Sequence, residues 1–417
     1  MNSNPPGQMQ PELAETAAFS QAFEAWEGAA CAADFPYAPV LALYQRLGKH
    51  FVPEPVTDSL NRVRKDHGPV ARAPRLRAFL DCALDKRDGR YDYASYCALE
   101  LLEFPGHQSV ALSPDEVARQ RDLALLALLG DLVAFEWHAL QGQETRLPQM
   151  RPDAALAWKR VQRVLAAMRP SLVRLRWQND ALPGKIDPQE YLDWRQAMLS
   201  DEDRTRMALS ILPVHVVHDE YMFLRTLQAF EANFAWIAVL LHGAIQALDA
   251  DDGRALQKLE QANTYLRETA RLFPLLGTMQ VAAFHDFRRF TEGASAIQSA
   301  GYKKVEALCR RPDAERLNSI AYAAVPAVRA SVQNGQHTLE DAFAQAKERC
   351  CLSAPILDGI EAEMGHFAGQ LLRWRQAHLQ LARRFLGEKG GTGYTEGVPY
   401  LASVKDIPVF QTVVARS

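Results

Sequence analysis

The sequence predicts an all-α protein, and two observations lead to this prediction. Apolar residues recur at helical spacing along most of the chain after about residue 16, and stretches with the alternation of a β-strand are scarce. The composition, 48% apolar and 23% charged residues, is that of an ordinary globular protein, and 417 residues suffice for one large domain or two modest ones. We therefore expect helices that pack on helices around a substantial core.

The individual helices follow from apolar stripes and from signals at their ends. Residues 1–15 are polar and rich in proline, so we expect a flexible lead. Ser113 can cap a helix, Pro114 suits its first turn and Glu116 completes a capping box, which predicts a helix that runs past Leu123 to Trp137. Further amphipathic helices are expected over residues 153–177, 219–248, 254–273, 338–350 and 356–386.

Charge, hydropathy and cysteine usage exclude several classes of protein. A net charge of −3 argues against a general nucleic-acid or anionic-membrane binder. The longest apolar run, residues 234–248, is too short and too interrupted to span a bilayer, and the N-terminus lacks the pattern of a signal peptide. No cysteine pair has zinc-site spacing, so we expect a cytoplasmic protein with free thiols at Cys31, Cys82, Cys97, Cys309, Cys350 and Cys351.

One histidine falls in phase with a long apolar stripe. His378 continues the spacing of Ile360, Met364, Phe367, Leu371, Trp374, Leu381 and Phe385, so its imidazole is expected to point into an apolar interior. A buried imidazole needs partners for both ring nitrogens. A core histidine bonded to a backbone carbonyl is one interpretation, and an iron ligand is the other.

Four segments resemble the motifs of one known family, in that family's order. Residues 372–401, with Trp374, His378 and the run Gly391-Thr392-Gly393, resemble the C-terminal signature of the tryptophan 2,3-dioxygenases. The other three segments are residues 91–102 around Tyr93 and Tyr96, residues 219–231 around Phe223, and residues 284–302 around Arg288 and Tyr302. Because four weak matches occur in register, they support each other.

The resemblance implies a fold and a division of the chain. It predicts a helical bundle of the tryptophan/indoleamine dioxygenase type that encloses a haem, with additional N-terminal helices. Residues 212–417 would form the haem-binding core. Residues 16–211 would form an N-terminal helical region, which includes the family-like segment 91–102 and an insertion at about 105–211.

The resemblance also implies a cofactor site for haem b. His378 matches the proximal ligand of the haem iron, and Trp374 lies one turn before it on the same expected helix. Gly391 and Gly393 belong to a glycine-rich loop that would close over the substrate as a lid, since neither the dinucleotide nor the Walker phosphate pattern fits this loop. Ala296 stands where the family usually has a glycine close to the haem.

Substrate contacts are implied at further positions. Arg288 matches the arginine that holds the substrate carboxylate, with Arg289 as its rival, and a guanidinium suits this task because its planar fork forms two hydrogen bonds. Thr392 matches the threonine that contacts the substrate ammonium group. Tyr302 lies fourteen residues after Arg288, as in the family, and is expected on the substrate side.

The distal side of the expected haem departs from the family. Phe223 matches a pocket phenylalanine, but Leu227 stands where the family has a histidine, so the expected catalytic pocket is more apolar. Phe273 likewise stands where the family usually has tryptophan. Tyr93 and Tyr96 match tyrosines that the family inserts into a neighbouring subunit's pocket, which implies a homo-oligomer, a dimer or a tetramer. Half-buried helix tyrosines are the alternative interpretation.

The resemblance implies a haem-dependent oxygenase that inserts O2 into the indole ring of tryptophan or a substituted indole. Cleavage of the C2–C3 bond would give an N-formylkynurenine-type product. Leu227 and the enlarged N-terminal half motivate an alternative, a haem-dependent monooxygenase of an aromatic amino acid or indole metabolite. A second alternative is a haem-binding sensor without turnover, in which residues 105–211 serve as a partner surface.

Overall fold

The computed structural model describes residues 9–27, 34–65, 73–177, 186–387 and 397–416. Over these residues the chain is all-α, as predicted, and its β-type pairing is an isolated bridge between Gln149 and Val217. Short 3-10 turns join some of the helices. The helices are α1 (Met9–Glu27), α2 (Tyr37–Leu47), α3 (Glu54–Lys65), α4 (Pro74–Ala83), α5 (Tyr93–Tyr96), α6 (Pro114–Leu140), α7 (Ala154–Arg174), α8 (Pro188–Met198), α9 (Asp201–Leu209), α10 (His218–Asp249), α11 (Arg254–Thr269), α12 (Phe273–Leu276), α13 (Val281–Arg288), α14 (Ala300–Cys309), α15 (Ala314–Leu317), α16 (Ile320–Ala323), α17 (Pro326–Gln333), α18 (Leu339–Arg349), α19 (Ala354–Leu386) and α20 (Val398–Val404).

The long helices lie where the apolar stripes predicted them, with two corrections. The Ser113 hydroxyl accepts a hydrogen bond from the Glu116 N–H at 3.2 Å and so caps α6 as expected. Helix α1 already begins at Met9, so residues 9–15 are helical and not an irregular lead. The helix expected to reach residue 273 ends at Thr269, and a 3-10 turn leads into α12, where Pro274 has no N–H for a continuous α-helical ladder.

Helix α10 is the centre of the main hydrophobic core. It is buried on nearly every side, by α6 and α11 among others. Helices α7 and α19 complete this core, which therefore includes residues from both sides of position 212. A second, smaller core belongs to α1–α4 and also takes in Ala98, Leu101, Leu209 and Leu212. The small core thus contacts the chain directly after α5 and shortly before α10.

Buried ion pairs join α6 and α7 to the helices around them. The Arg160 guanidinium pairs with Glu136 at 3.2 Å and with Asp219 of α10 at 2.7 Å, and all three side chains are fully buried. Arg121 of α6 pairs with Glu268 of α11 at 2.5 Å. Such charges are tolerated inside a protein only when they are paired, so these helices are fixed against one another.

Helix α6 is long and apolar enough to cross a membrane by composition alone. Its position argues for a different role, because it packs against α7 and α10 in the main core. It also places Arg121, Asp122 and Glu136 in buried ion pairs with other helices. We therefore describe α6 as a core helix.

Candidate functional site

A large cavity opens between α5, α10, α13, α14, α19 and α20. Its empty volume is about 1640 Å³, which includes the part that is open to solvent. The lining is mostly apolar and aromatic; its apolar members are Phe223, Leu227, Phe230, Phe234, Phe273, Leu276, Met279, Phe284, Phe287, Ile297, Leu381, Phe385, Leu386, Leu401 and Val404. A cavity with such a lining suits an aromatic or other largely apolar ligand.

The residues singled out from the sequence meet at this cavity. Those within the described part of the chain all line it: Tyr93, Tyr96, Phe223, Leu227, Arg288, Ala296, Tyr302, Trp374 and His378. Gly391, Thr392 and Gly393 lie outside the described residues, so their predicted roles are not tested. The residues on either side of that stretch, Leu386 and Gly397, line the cavity.

The imidazole of His378 faces the cavity from α19. Burial lowers the pKa of His378 to about 4, so the ring is neutral at pH 7. Within the described residues neither ring nitrogen has a hydrogen-bond partner, and the ring contacts Trp374 with 5.4 Å between ring centroids. The ring therefore offers a free lone pair to whatever occupies the cavity.

An aromatic cluster surrounds Trp374, one turn before His378. The Trp374 ring stacks on Tyr302 at 5.2 Å with an interplanar angle of 23°, and Phe273 packs against it at 5.4 Å. The Tyr302 hydroxyl accepts a hydrogen bond from Arg375 Nε at 2.7 Å. Trp374 Nε1 is buried and has no acceptor among the described residues, which is uncommon for an indole N–H.

Two neighbouring arginines were candidates for the substrate carboxylate, and the structure separates them. Arg288, at the end of α13, is half-buried and lines the cavity, and burial lowers the pKa of its guanidinium. Arg289 points away from the cavity, pairs with Asp286, and leaves 67% of its side chain exposed. Arg288 therefore holds the position from which a guanidinium reaches the cavity.

The wall around Leu227 is apolar. Leu227 is 8% exposed and lies one turn after Phe223 on α10. The Phe223 ring contacts Phe287 at 5.4 Å and Phe284 at 6.0 Å, and Phe284 in turn contacts Phe385 of α19. Aromatic rings thus surround the place where the sequence predicted the reacting ring of a substrate.

Tyr93 and Tyr96, which the resemblance assigned to a neighbouring subunit's pocket, line the cavity of their own chain. Both side chains are 3% exposed; Tyr93 donates a hydrogen bond to Glu231 at 3.1 Å, and Tyr96 donates one to Glu220 at 3.3 Å. The extended N-terminal half brings α5 to the cavity without a second subunit. A homo-oligomer does not follow from these tyrosines, and it stays a prediction.

Glu231 is a polar group in this apolar wall that the sequence analysis did not assign. Burial raises the pKa of Glu231 to about 7, although hydrogen bonds from Ser299, Tyr93 and the Gly301 N–H lower it. A β-carbon at Gly301 would lie 2.7 Å from Glu231 Oε2, so the glycine permits this close approach. The sequence offered one signal for Glu231. It lies four residues after Leu227, so the two side chains lie on the same face of the helix.

A buried basic cluster also lines the cavity, and no sequence pattern indicated it. Lys303 and Arg375 pair with Glu306 at 2.9 and 3.3 Å, and Arg316 pairs with the same carboxylate at 3.1 Å. Arg316 also donates a hydrogen bond to the Tyr400 hydroxyl at 3.1 Å. The cluster joins α14, α15, α19 and α20 on the cavity wall.

The fold and the cavity define an all-α protein with a largely apolar cavity beside a neutral histidine. No protein-family model matches the chain. The chain is 25% identical over 229 residues to a tryptophan 2,3-dioxygenase of Anaeromyxobacter dehalogenans, a match that covers 46% of this chain and 84% of that protein. Corresponding matches are 25% over 238 residues in Rhodococcus jostii (48% and 82%) and 26% over 242 residues in Erythrobacter litoralis (48% and 90%). The chain is thus similar to tryptophan 2,3-dioxygenases over about half of its length, as its motifs predicted.

Proposed function

We propose that the protein is a haem-dependent oxygenase that acts on tryptophan or a substituted indole. The observation that carries this proposal is the His378 imidazole, which faces a mostly apolar cavity of about 1640 Å³ with no hydrogen-bond partner among the described residues. The family relationship supports the same reading, because the relatives are named tryptophan 2,3-dioxygenases. Because Leu227, Phe273 and Ala296 depart from the family's usual residues, the proposal includes substituted indoles as well as tryptophan.

The described residues fit a haem. A neutral imidazole is the form that binds iron, and His378 is neutral because burial lowers its pKa to about 4. Trp374 and Ala296 line the same cavity, and the buried Trp374 Nε1 lacks an acceptor that the polar edge of a bound group would supply. Bound haem would supply the chemistry that inserts O2 and opens the C2–C3 bond to an N-formylkynurenine-type product.

The chain's own residues would bind and orient the substrate. Arg288 would hold the carboxylate through two parallel hydrogen bonds, and this fixes one end of the amino acid. The aromatic wall at Phe223 and Leu227 would enclose the indole ring and exclude water. Holding the ring in one place raises its effective concentration at the reacting centre. The contact of Thr392 with the substrate ammonium group stays a prediction.

Absorption spectra of the purified protein test this function. We expect a Soret band in the wild type, a further shift with L-tryptophan, and loss or strong displacement of the band in His378→Ala. His366→Ala is the matched control, because His366 lies on the same helix, pairs with Glu363 and does not line the cavity. A wild type that takes up no haem under adequate supply would refute the proposal.

The apolar position at Leu227 favours a second candidate, a monooxygenase on the same scaffold. With no histidine at this position, the wall does not itself offer an acceptor for the indole N–H at Leu227. Product mass after reaction under ¹⁸O2 separates the two reactions, since one labelled atom indicates monooxygenation and two indicate dioxygenation. Haem binding without oxygen uptake on any indole would instead point to a sensor.

A further inference from the structure

The cluster of Lys303, Glu306, Arg316 and Arg375 holds more positive than negative charge. Three cations share one carboxylate, and their side chains are between 4% and 10% exposed. Burial lowers the pKa of Lys303 to about 8, so it is still protonated at pH 7. The three cations hold the pKa of Glu306 far below its ordinary value, so the cluster has a net charge of +2.

Excess charge of one sign is costly inside a protein. An ion pair compensates the desolvation of two charges, but the second and third cations here have no further carboxylate among the groups that pair with them. The remaining partners of the cluster are neutral hydroxyls and carbonyls, namely those of Tyr302, Tyr400 and Ile407. An anion from outside the chain would remove the imbalance.

Two buried N–H donors, one within the cluster and one next to it, also lack hydrogen-bond acceptors. Arg316 Nε and Trp374 Nε1 have no hydrogen-bond partner among the described residues. Both side chains line the cavity, and Trp374 stacks on the tyrosine that Arg375 binds. A purely structural cluster would account for the ion pairs with Glu306, but it would leave these donors and the net charge unexplained.

We propose that Lys303, Arg316 and Arg375, together with Trp374 Nε1, form a carboxylate-binding subsite in the cavity. It is separate from Arg288, which belongs to a different helix. The carboxylate belongs either to the porphyrin or to the aromatic substrate. Both sources belong to the proposed function, so the inference rests on it.

Paired probes with and without the carboxylate test the subsite. Haem is compared with haem dimethyl ester, and L-tryptophan with tryptamine, by titration of the wild type, Lys303→Met and Arg316→Leu. We expect at least one carboxylate-bearing probe to bind about tenfold or more weakly to both variants, while its partner without the carboxylate changes by less than about twofold. A loss on haem assigns the porphyrin, and a loss on tryptophan assigns the substrate.

Two further variants keep the test decisive. Lys304→Met is the matched control, since Lys304 follows Lys303 on α14 but does not line the cavity, and it should leave all four affinities unchanged. If circular dichroism shows that Arg316→Leu does not fold, Glu306→Gln replaces it. Removing the Glu306 carboxylate raises the net positive charge of the cluster, so the same carboxylate-bearing probe should bind more tightly. Equal effects on both members of each pair, or no effect on any probe, would overturn the inference. Failure of the wild type to bind haem would refute the proposed function, and the tryptophan pair would still decide the subsite.

Discussion

The Tyr93 hydroxyl donates a hydrogen bond to the Glu231 carboxylate at 3.1 Å, and this contact joins α5 to α10 within one chain. Tyr96 makes the equivalent contact with Glu220 at 3.3 Å. The segment that the resemblance assigned to a neighbouring subunit therefore completes the cavity of its own chain. Exchange of these tyrosines between subunits stays a prediction, and the single chain already brings both of them to its own cavity.

Subunit mixing tests this arrangement. Tyr93→Ala and His378→Ala each remove one necessary part of the cavity, so each variant is expected to be inactive or strongly impaired. A mixture unfolded and refolded together should stay inactive, because both parts must come from the same chain. Recovery of about a quarter of the wild-type oxygen uptake would show instead that chains exchange α5.

Replacement of Arg288 should affect only ligands that have a carboxylate. We expect Arg288→Leu to weaken L-tryptophan binding by about tenfold or more, about 1.4 kcal/mol, because a bidentate charged contact is lost. Tryptamine binding should change little. Arg289→Leu is the control, since Arg289 is exposed and pairs with Asp286, and it should behave as the wild type in calorimetric titrations. Identical losses for both variants would reject the role of Arg288.

The pH dependence of stability should report on Glu220. Burial raises the pKa of Glu220 from 4.5 to about 8, so the folded state prefers the neutral carboxyl. The stabilisation from the neutral Glu220 carboxyl is fully present below about pH 4.5 and is lost as the pH rises through about 8. The free energy of unfolding falls over this range by up to about 1.4 kcal/mol per pH unit. Urea denaturation between pH 5 and 8 should show a shallower slope for Glu220→Gln. Glu231, whose pKa is also raised, adds a slope of the same sign, whereas the lowered pKa of His378 opposes it below about pH 6.5.

Removing the cation of a buried network should destabilise the fold strongly. Arg121→Met leaves Asp122 and Glu268 buried with only Arg174 as counter-ion, and we expect a loss of about 3–5 kcal/mol in the free energy of unfolding. Arg119→Met, on the same helix but 63% exposed, should change it by less than about 1 kcal/mol. Similar midpoints for the two variants in urea would contradict this account.

The sequence predicted the long helices well because their apolar stripes are a local property. Helices α10 and α19 repeat large apolar residues over eight or more turns, and each lies within two residues of its predicted bounds. The four-residue helices α15 and α16 have too few turns for any period to appear. Their positions depend on packing and not on local pattern.

The residues of the candidate site also differ in whether a local sequence pattern predicted them. Residues within the family-like motifs, such as Arg288 and His378, were identified from the sequence and meet at one cavity. Arg316 was not, because it reaches Glu306 and Tyr400 from a four-residue helix that no pattern marks. The pairing of Tyr93 with Glu231, 138 positions apart, likewise depends on how the additional N-terminal half packs.

The small core of α1–α4 encloses Ala98 and Leu101, just after the two cavity tyrosines, and Leu209 and Leu212, just before α10. The small core therefore packs next to both α5 and α10, although its residues do not line the cavity. Substitutions in that core can shift α5 against α10 while every lining residue stays the same. Ligand selectivity can consequently change through substitutions far from the cavity, which a comparison of the lining residues alone would miss.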